Sequence, residues 1–173
     1  SGRIGVQEGV ELLPTFNWPK SRLDYVIAGG NRALLNSIEN AEDNTSKATE
    51  IVKKKSINSQ DVLIGLAASG NTPFTCKVLE EAYKKEALTI AISNNPNGKL
   101  LKFGKCTIIL DTKEELIAGS TRLKAGTAQK ICLNIISSIV MVKMGRVKNG
   151  KMSHMLPTNQ KLRKRKLSID YKI

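Results

Sequence analysis

The stretch Asp61-Val62-Leu63-Ile64-Gly65-Leu66-Ala67-Ala68-Ser69-Gly70-Asn71-Thr72-Pro73, continued by Phe74 to Lys85, decides the fold. Asp61 to Ala67 is a short, mostly apolar run of the kind that suits a strand buried on both faces of a sheet. Pro73 to Lys85 then puts Phe74, Val78, Leu79, Ala82 and Tyr83 on one face and Lys77, Glu80, Glu81 and Lys84 on the other. That spacing is helical, and Pro73 stands at a favoured first-turn position. Working outward, Leu23 to Ala28, Leu88 to Ile92 and Cys106 to Leu110 read as three more strands. Thr45 to Lys54 reads as a polar helix, and Leu123 to Met144 as a long one, apolar nearly all round and therefore expected to be buried. Strands alternating with helices predict an α/β fold with a doubly wound parallel sheet flanked by helices and joined by right-handed crossovers. Ligands in such sheets bind at the carboxyl ends of the strands.

Composition narrows the classes. The 173 residues suit one domain or one and a tail, and a 40% hydrophobic content supports a packed core. Cys76, Cys106 and Cys132 are widely spaced and His154 is the only histidine, which argues against a zinc site or a disulfide framework; no metal is expected. The longest apolar stretch, Ile131 to Val142, falls short of the roughly 20 residues that span a bilayer, so no membrane partner is expected. A cytoplasmic location is the simplest reading. Ser1-Gly2-Arg3-Ile4-Gly5 carries no initiator Met, which leads to the expectation of a fragment. Gly145 should stop the long helix, and beyond it the chain turns basic, ending in Lys161-Leu162-Arg163-Lys164-Arg165-Lys166. We therefore expect a domain over 1–147 and a basic extension over 148–173. With 28 Lys and Arg against 15 Asp and Glu the net charge is +13, which invites a nucleic-acid reading. Aromatics form only 4% of the chain and Tyr171 is the only one in the tail, so stacking platforms are not evident and this reading ranks well below the others.

Three segments pair Gly with hydroxyl residues before a helix: Ser1-Gly2-Arg3, Ala68-Ser69-Gly70-Asn71-Thr72-Pro73, and Gly119-Ser120-Thr121-Arg122-Leu123-Lys124. Helix N-termini present free N–H groups and a positive dipole end to anions, and hydroxyls add donors. For any one loop, plain helix capping is the better reading. For all three together, a phosphorylated small molecule is. No Walker A or dinucleotide fingerprint is present, so a sugar phosphate ranks above a nucleotide and no cofactor is expected.

Among the scarce carboxylates, Glu8 and Glu11 share one face of the first helix, while Glu39, Glu42 and Asp43 follow a strand end at Gly29-Gly30. Taken singly, each reads as an exposed acid. A pair brought together from two segments could work as general base and general acid.

The runs Ser1-Gly2-Arg3-Ile4-Gly5, Pro14-Thr15-Phe16, Ile27-Ala28-Gly29-Gly30, Glu39-Asn40-Ala41-Glu42-Asp43, Gly65 to Gly70, Gly119 to Lys130 and Thr158 to Leu162 occur in order along the chain. Together they resemble the N-acetylmuramic acid 6-phosphate etherase family, whose SIS (sugar isomerase) fold is similar to the sheet argued above. The resemblance implies a lyase that cleaves the lactyl ether of N-acetylmuramic acid 6-phosphate by elimination and hydration, giving N-acetylglucosamine 6-phosphate and D-lactate in cell-wall sugar recycling. It further implies Glu11 as proton donor, Glu42 as the second catalytic glutamate, and Ser1, Ser69, Gly70, Thr72, Ser120, Thr121 and Lys124 as substrate-binding residues. The family's first strand leads into Ser1, so the sheet is expected to lack it, with an N-terminal segment as a partner. A homodimer is implied as well. Asn71 stands where the family generally has Arg, and Gly9-Val10 replace a small residue and Ser beside the donor. Those two departures favour the alternative of a non-catalytic sugar-phosphate sensor or an inactive remnant, as in the related glucokinase regulatory proteins, while Glu11 and Glu42 favour the enzyme.

Overall fold

The computed structural model describes residues 1–170, with side chains through 168. Its helices are α1 (Gly2–Phe16), α2 (Thr45–Lys54), α3 (Pro73–Lys84), α4 (Lys124–Lys143) and α5 (Gln160–Asp170), and its strands are β1 (Val62–Ala67), β2 (Leu88–Ser93) and β3 (Cys106–Ile109). The contacts divide it into two units, one of residues 1–4 and 26–129 and one of residues 5–25 and 130–173.

The first unit is the α/β core. Its sheet is parallel in the order β1-β2-β3, with Val62 opposite Leu88 and Ile90 opposite Cys106. α3 makes the crossover from β1 to β2, as its amphipathic pattern predicts. Leu79 from its apolar face is fully buried with Ala67, Ala91 and Leu100, while Phe74 and Val78 pack with Ala48 and Val52 of α2. Burying each large side chain of this set stabilises the fold by about 1.5–3 kcal/mol. On the outer face of α3, Lys77 bridges Glu80 and Glu81 and Lys84 bridges Glu80. α2 spans the predicted residues and is capped by Asn44, whose side chain accepts from the Lys47 N–H.

One predicted strand is not formed. Leu23 to Ala28 joins no ladder: the Tyr25 N–H bonds the Asp24 carboxylate at 2.7 Å, and the Ile27 carbonyl accepts from Gly30 in a turn. An apolar run becomes a strand only with a hydrogen-bonded neighbour. Val26 and Ala28 instead pack their side chains against the α2–α3 cluster.

In the second unit α1 ends at Asn17, which takes a left-handed φ of 51°, and Arg146 Nη1 donates to the Phe16 and Asn17 carbonyls at 2.6 and 2.9 Å. Arg146 and Arg22 both lie over the Trp18 ring, at 5.3 and 5.1 Å from its centroid. Gly145 stops α4 as expected, with φ +71° and an N–H from Arg146 to the Met141 carbonyl. Two expectations about α4 are corrected. Ile131, Ile135, Ile139 and Val142 are exposed, so the helix is not buried all round. At 20 residues it is also long and apolar enough to cross a membrane by length and composition alone, because the helix runs on past Ile131 to Lys124. α5 carries the basic run, and Tyr171 lies outside the described residues.

Candidate functional site

The carboxyl ends of the three strands open on a cleft of about 480 Å³ in the first unit, within the range of small-molecule sites. Ala68 and Ser69 line it from beyond β1, Asn94 and Asn95 from beyond β2, and Thr112, Lys113, Glu114 and Glu115 from beyond β3. Ala118, Gly119, Ser120, Thr121 and Ala125 complete the wall, so two of the three hydroxyl loops, through Ser69, Ser120 and Thr121, meet in one place. The third stands beside it, since Ser1 Oγ accepts the Ala68 N–H at 3.0 Å.

Tight backbone turns set the first loop. Gly70 has φ +68°, and a Cβ there would stand 2.5 Å from the Gly98 Cα, so the loops after β1 and β2 touch backbone to backbone. The Leu100 N–H bonds the Gly70 carbonyl at 2.8 Å, and Asn71 Oδ1 accepts the Lys99 N–H at 3.1 Å. Asn71 therefore stitches the two loops together. Asn95 Nδ2 adds a bond to the Ser69 carbonyl.

The capping reading of these hydroxyls is not what the structure has. Ser69 Oγ accepts the Asn71 N–H in a local turn, and Thr72, at the N-cap of α3, makes no side-chain cap bond. At α4 the cap is Glu115, whose two carboxylate oxygens accept the Lys124 and Ala125 N–H groups at 2.9 and 3.0 Å. The Ala125 N–H leads in holding the Glu115 pKa below the ordinary glutamate range, with the Lys124 N–H and ammonium charge adding to it. Among the described residues the hydroxyls of Thr72, Ser120 and Thr121 thus have no hydrogen-bond partner. Beside them lies an amide pair, half-buried Asn94 and Gln129. Fully buried Gln129 donates from Nε2 to Asn94 Oδ1 at 2.9 Å, and Asn94 Nδ2 donates to the Leu110 carbonyl.

Of the sequence-predicted residues, Gly70, Thr72 and Lys124 adjoin the cleft in its loops without lining it. Glu42 is exposed on a turn of 3-10 helix over Ala41–Asp43, held after Asn40 at φ +56°. Glu11 belongs to the second unit, where it is exposed on α1 and makes no hydrogen bond or ion pair among the described residues. Glu8 is not the exposed acid expected of it, being only 8% exposed. Sequence reasoning missed Asn94, Asn95, Thr112 and Glu115. The run Asn94-Asn95-Pro96-Asn97-Gly98 directly after a predicted strand was the available signal for the first two.

Residues 1–83 match the family model described as the glucokinase regulatory protein N-terminal SIS domain. An N-acetylmuramic acid 6-phosphate etherase of Deinococcus radiodurans is 46% identical over 165 residues, covering 95% of this chain and 54% of the relative. The etherases so named from Mycoplasma mycoides and Porphyromonas gingivalis are 41% and 43% identical, over 98% and 94% of this chain. The chain is a sequence relative of the N-acetylmuramic acid 6-phosphate etherases. It spans 54–59% of the length of these three etherase relatives. A solved structure titled the Vibrio vulnificus NanR protein complexed with ManNAc-6P aligns at a TM-score of 0.46 and 12% identity, over 75% of this chain and 42% of that one. With the etherase relatives in view, the α/β class and its parallel sheet flanked by helices stand as the sequence predicted.

Proposed function

We propose that this chain is part of an N-acetylmuramic acid 6-phosphate etherase and that the cleft beyond the strand ends holds the phosphorylated sugar. The observation that carries this is the set of hydroxyls without protein partners on Ser120 and Thr121, in the loop before an α4 N-terminus already capped by Glu115, and on Thr72 at the uncapped start of α3. Hydroxyls released from capping are free to bond sugar and phosphate oxygens. The first turn of α3 has no side-chain cap, so its N–H groups and dipole suit the phosphate, with Ser69, Gly70 and Thr72 beside it. Ser120 and Thr121 then face sugar hydroxyls, with Ser1 and Lys124 in support. A net charge of +13 favours encounter with an anionic substrate.

In the ring-opened sugar the aldehyde acidifies the C2 proton. Glu42 takes that proton, the C2–H electrons form a C2=C3 double bond, and the C3–O bond to the lactyl group breaks as Glu11 protonates the departing oxygen. D-lactate leaves. Water then adds its oxygen to C3 while a proton returns to C2, giving N-acetylglucosamine 6-phosphate. The cytoplasmic location and the homodimer that the sequence resemblance implies belong to this proposal, as does the contribution of the length that the relatives have and this chain does not cover.

The test is D-lactate release from N-acetylmuramic acid 6-phosphate by the full-length protein, beside Glu42→Gln. General acid–base catalysis contributes about 10²–10⁴-fold, and kcat should fall by that factor in the variant. Wild-type protein that binds the sugar phosphate and forms no lactate overturns the reading.

A further inference from the structure

Behind the wall of the cleft runs a hydrogen-bond chain whose direction follows from one backbone carbonyl. The Leu110 carbonyl can only accept, so Asn94 must turn its NH2 group towards it, with Nδ2 at 2.9 Å. Asn94 Oδ1 is then left to take a hydrogen from Gln129 Nε2, also at 2.9 Å. Gln129 is fully buried, and its Oε1 has no hydrogen-bond partner among the described residues. An unbonded buried acceptor costs stability, and an apolar residue of the same size would carry no such cost. The far end of the chain is in the cleft. Asn94 Nδ2 also stands 3.4 Å from Oγ1 of Thr112, which is half-buried and lines the cleft. An amide NH2 offers only hydrogens, so Thr112 accepts on that side and its own proton points elsewhere. Among the described residues no protein group takes that proton.

Position and charge decide what Thr112 meets. β1 and β3 flank β2, and neighbouring strands lie about 4.8 Å apart, so the loop carrying Thr112 stands about 10 Å across the cleft from the loop after β1. With the phosphate on C6 held at the α3 side, Thr112 faces the opposite end of the sugar, C1 to C3. Glu114 and Glu115 line the same wall, while the Lys113 ammonium is already held by the Asp111 carboxylate at 2.6 Å. An anionic group such as the lactyl carboxylate is repelled there. What suits Thr112 is an uncharged oxygen that only accepts. The acetamido carbonyl on C2 is such an oxygen. It is a stronger acceptor than the C1 aldehyde and, unlike it, exists in both the open and the closed sugar.

We infer that Thr112 is a specificity-determining residue that donates to the acetamido carbonyl of the sugar phosphate, and that Asn94 and Gln129 are positioning residues that keep its proton turned to the ligand. This rests on the sugar-phosphate reading of the cleft and extends it to three residues that reading does not use. It gives the unbonded Gln129 amide a purpose, for an apolar residue at 129 would leave Asn94 Oδ1 without a donor. Asn94 could then turn that oxygen to take the Thr112 proton itself.

The test is calorimetric titration of the full-length protein with N-acetylglucosamine 6-phosphate and with glucose 6-phosphate, which carry the same charge and differ only at C2. Circular dichroism establishes that each variant is folded. Thr112→Val should weaken binding of the N-acetylated ligand about tenfold, one hydrogen bond, and leave glucose 6-phosphate within about twofold. Thr112→Ser keeps the hydroxyl and should restore the preference. Gln129→Met should melt no lower than wild type, since it removes one unbonded acceptor and leaves another on half-buried Asn94, yet it should reduce the N-acetyl preference by less than Thr112→Val does. Equal weakening of both ligands in Thr112→Val would mean a general structural role and overturn the inference. An unchanged preference in Thr112→Val or in Gln129→Met, or no rescue by Thr112→Ser, overturns it too. Wild-type protein that binds neither ligand overturns the sugar-phosphate reading and this inference with it. Wild-type protein that prefers the N-acetylated ligand but releases no D-lactate from N-acetylmuramic acid 6-phosphate overturns the etherase reading and supports the role of Thr112.

Discussion

Replacing Gly70 by Ala tests whether the close approach of two loops holds the mouth of the cleft together. Gly70 sits at φ +68°, where an L side chain costs about 1–2 kcal/mol. Stiffening of the unfolded chain returns about 0.4–1 kcal/mol of that, whatever the site. Gly30 isolates this conformational part, for it has φ +65° and nothing within 4 Å of its Cβ position. Gly30→Ala should therefore destabilise by about 0.5–1 kcal/mol. At Gly70 the new Cβ would also meet the Gly98 Cα at 2.5 Å and Ser93 Oγ at 2.6 Å. The first is backbone and cannot swing aside, so overpacking adds about 1–3 kcal/mol and brings Gly70→Ala to about 1.5–4 kcal/mol. Moving the loops apart also weakens the Leu100 N–H to Gly70 carbonyl bond and the Lys99 N–H to Asn71 bond. Urea unfolding of wild type, Gly30→Ala and Gly70→Ala, followed by circular dichroism, reads the difference directly. Coincident midpoints for the two variants would refute the backbone contact as the constraint at Gly70.

Two further outcomes follow from the same loops. Thr72→Val, Ser120→Ala and Thr121→Val should each change stability by less than about 0.5 kcal/mol, since none of these hydroxyls caps a helix, yet each should weaken binding of the sugar phosphate by about tenfold, one hydrogen bond to a charged or polar ligand; calorimetric titration beside thermal melting separates the two effects, and a large loss of stability would restore the capping reading. Glu115→Gln should melt below wild type at neutral pH. The pKa of Glu115 is depressed in the fold, so its stabilisation is present above the ordinary glutamate range and is lost as pH falls through the depressed value; melting curves of the pair should converge on acidification, and a gap that persists in acid would contradict the assignment of the cap.

The sequence made β1, β2 and β3 legible because each is an apolar run between turn residues, and α2 and α3 because their caps and amphipathic faces are local. Leu23 to Ala28 has the same composition and no ladder, since pairing depends on a neighbour that no local pattern specifies. α4 shows a related gap. Periodicity can say that a helix is apolar on every side, but not which sides find a packing partner, and Ile131, Ile135 and Ile139 are exposed while Leu133 and Met141 are buried. The site was half legible for a similar reason. Ser69, Ser120 and Thr121 were visible from residue type and position, whereas Glu115 caps a helix nine residues further on and Glu8 meets its partners more than 120 residues away.

The two helix N-termini next to the cleft differ in a way that bears on where an anion binds. At α4 the positive dipole end and its first free N–H groups are already matched by the carboxylate of Glu115, so a phosphate arriving there would meet a fixed negative charge. At α3 Pro73 removes one N–H, Thr72 leaves the rest without a side-chain cap, and the Gly70 turn brings the backbone close. An internal carboxylate on one terminus thus directs an external anion to the other. It also leaves the Ser120 and Thr121 hydroxyls, in the loop that leads into α4, without a capping role. Under the etherase reading proposed above, a single acid on the loop after β3 sets which end of the sugar phosphate lies against which wall of the cleft.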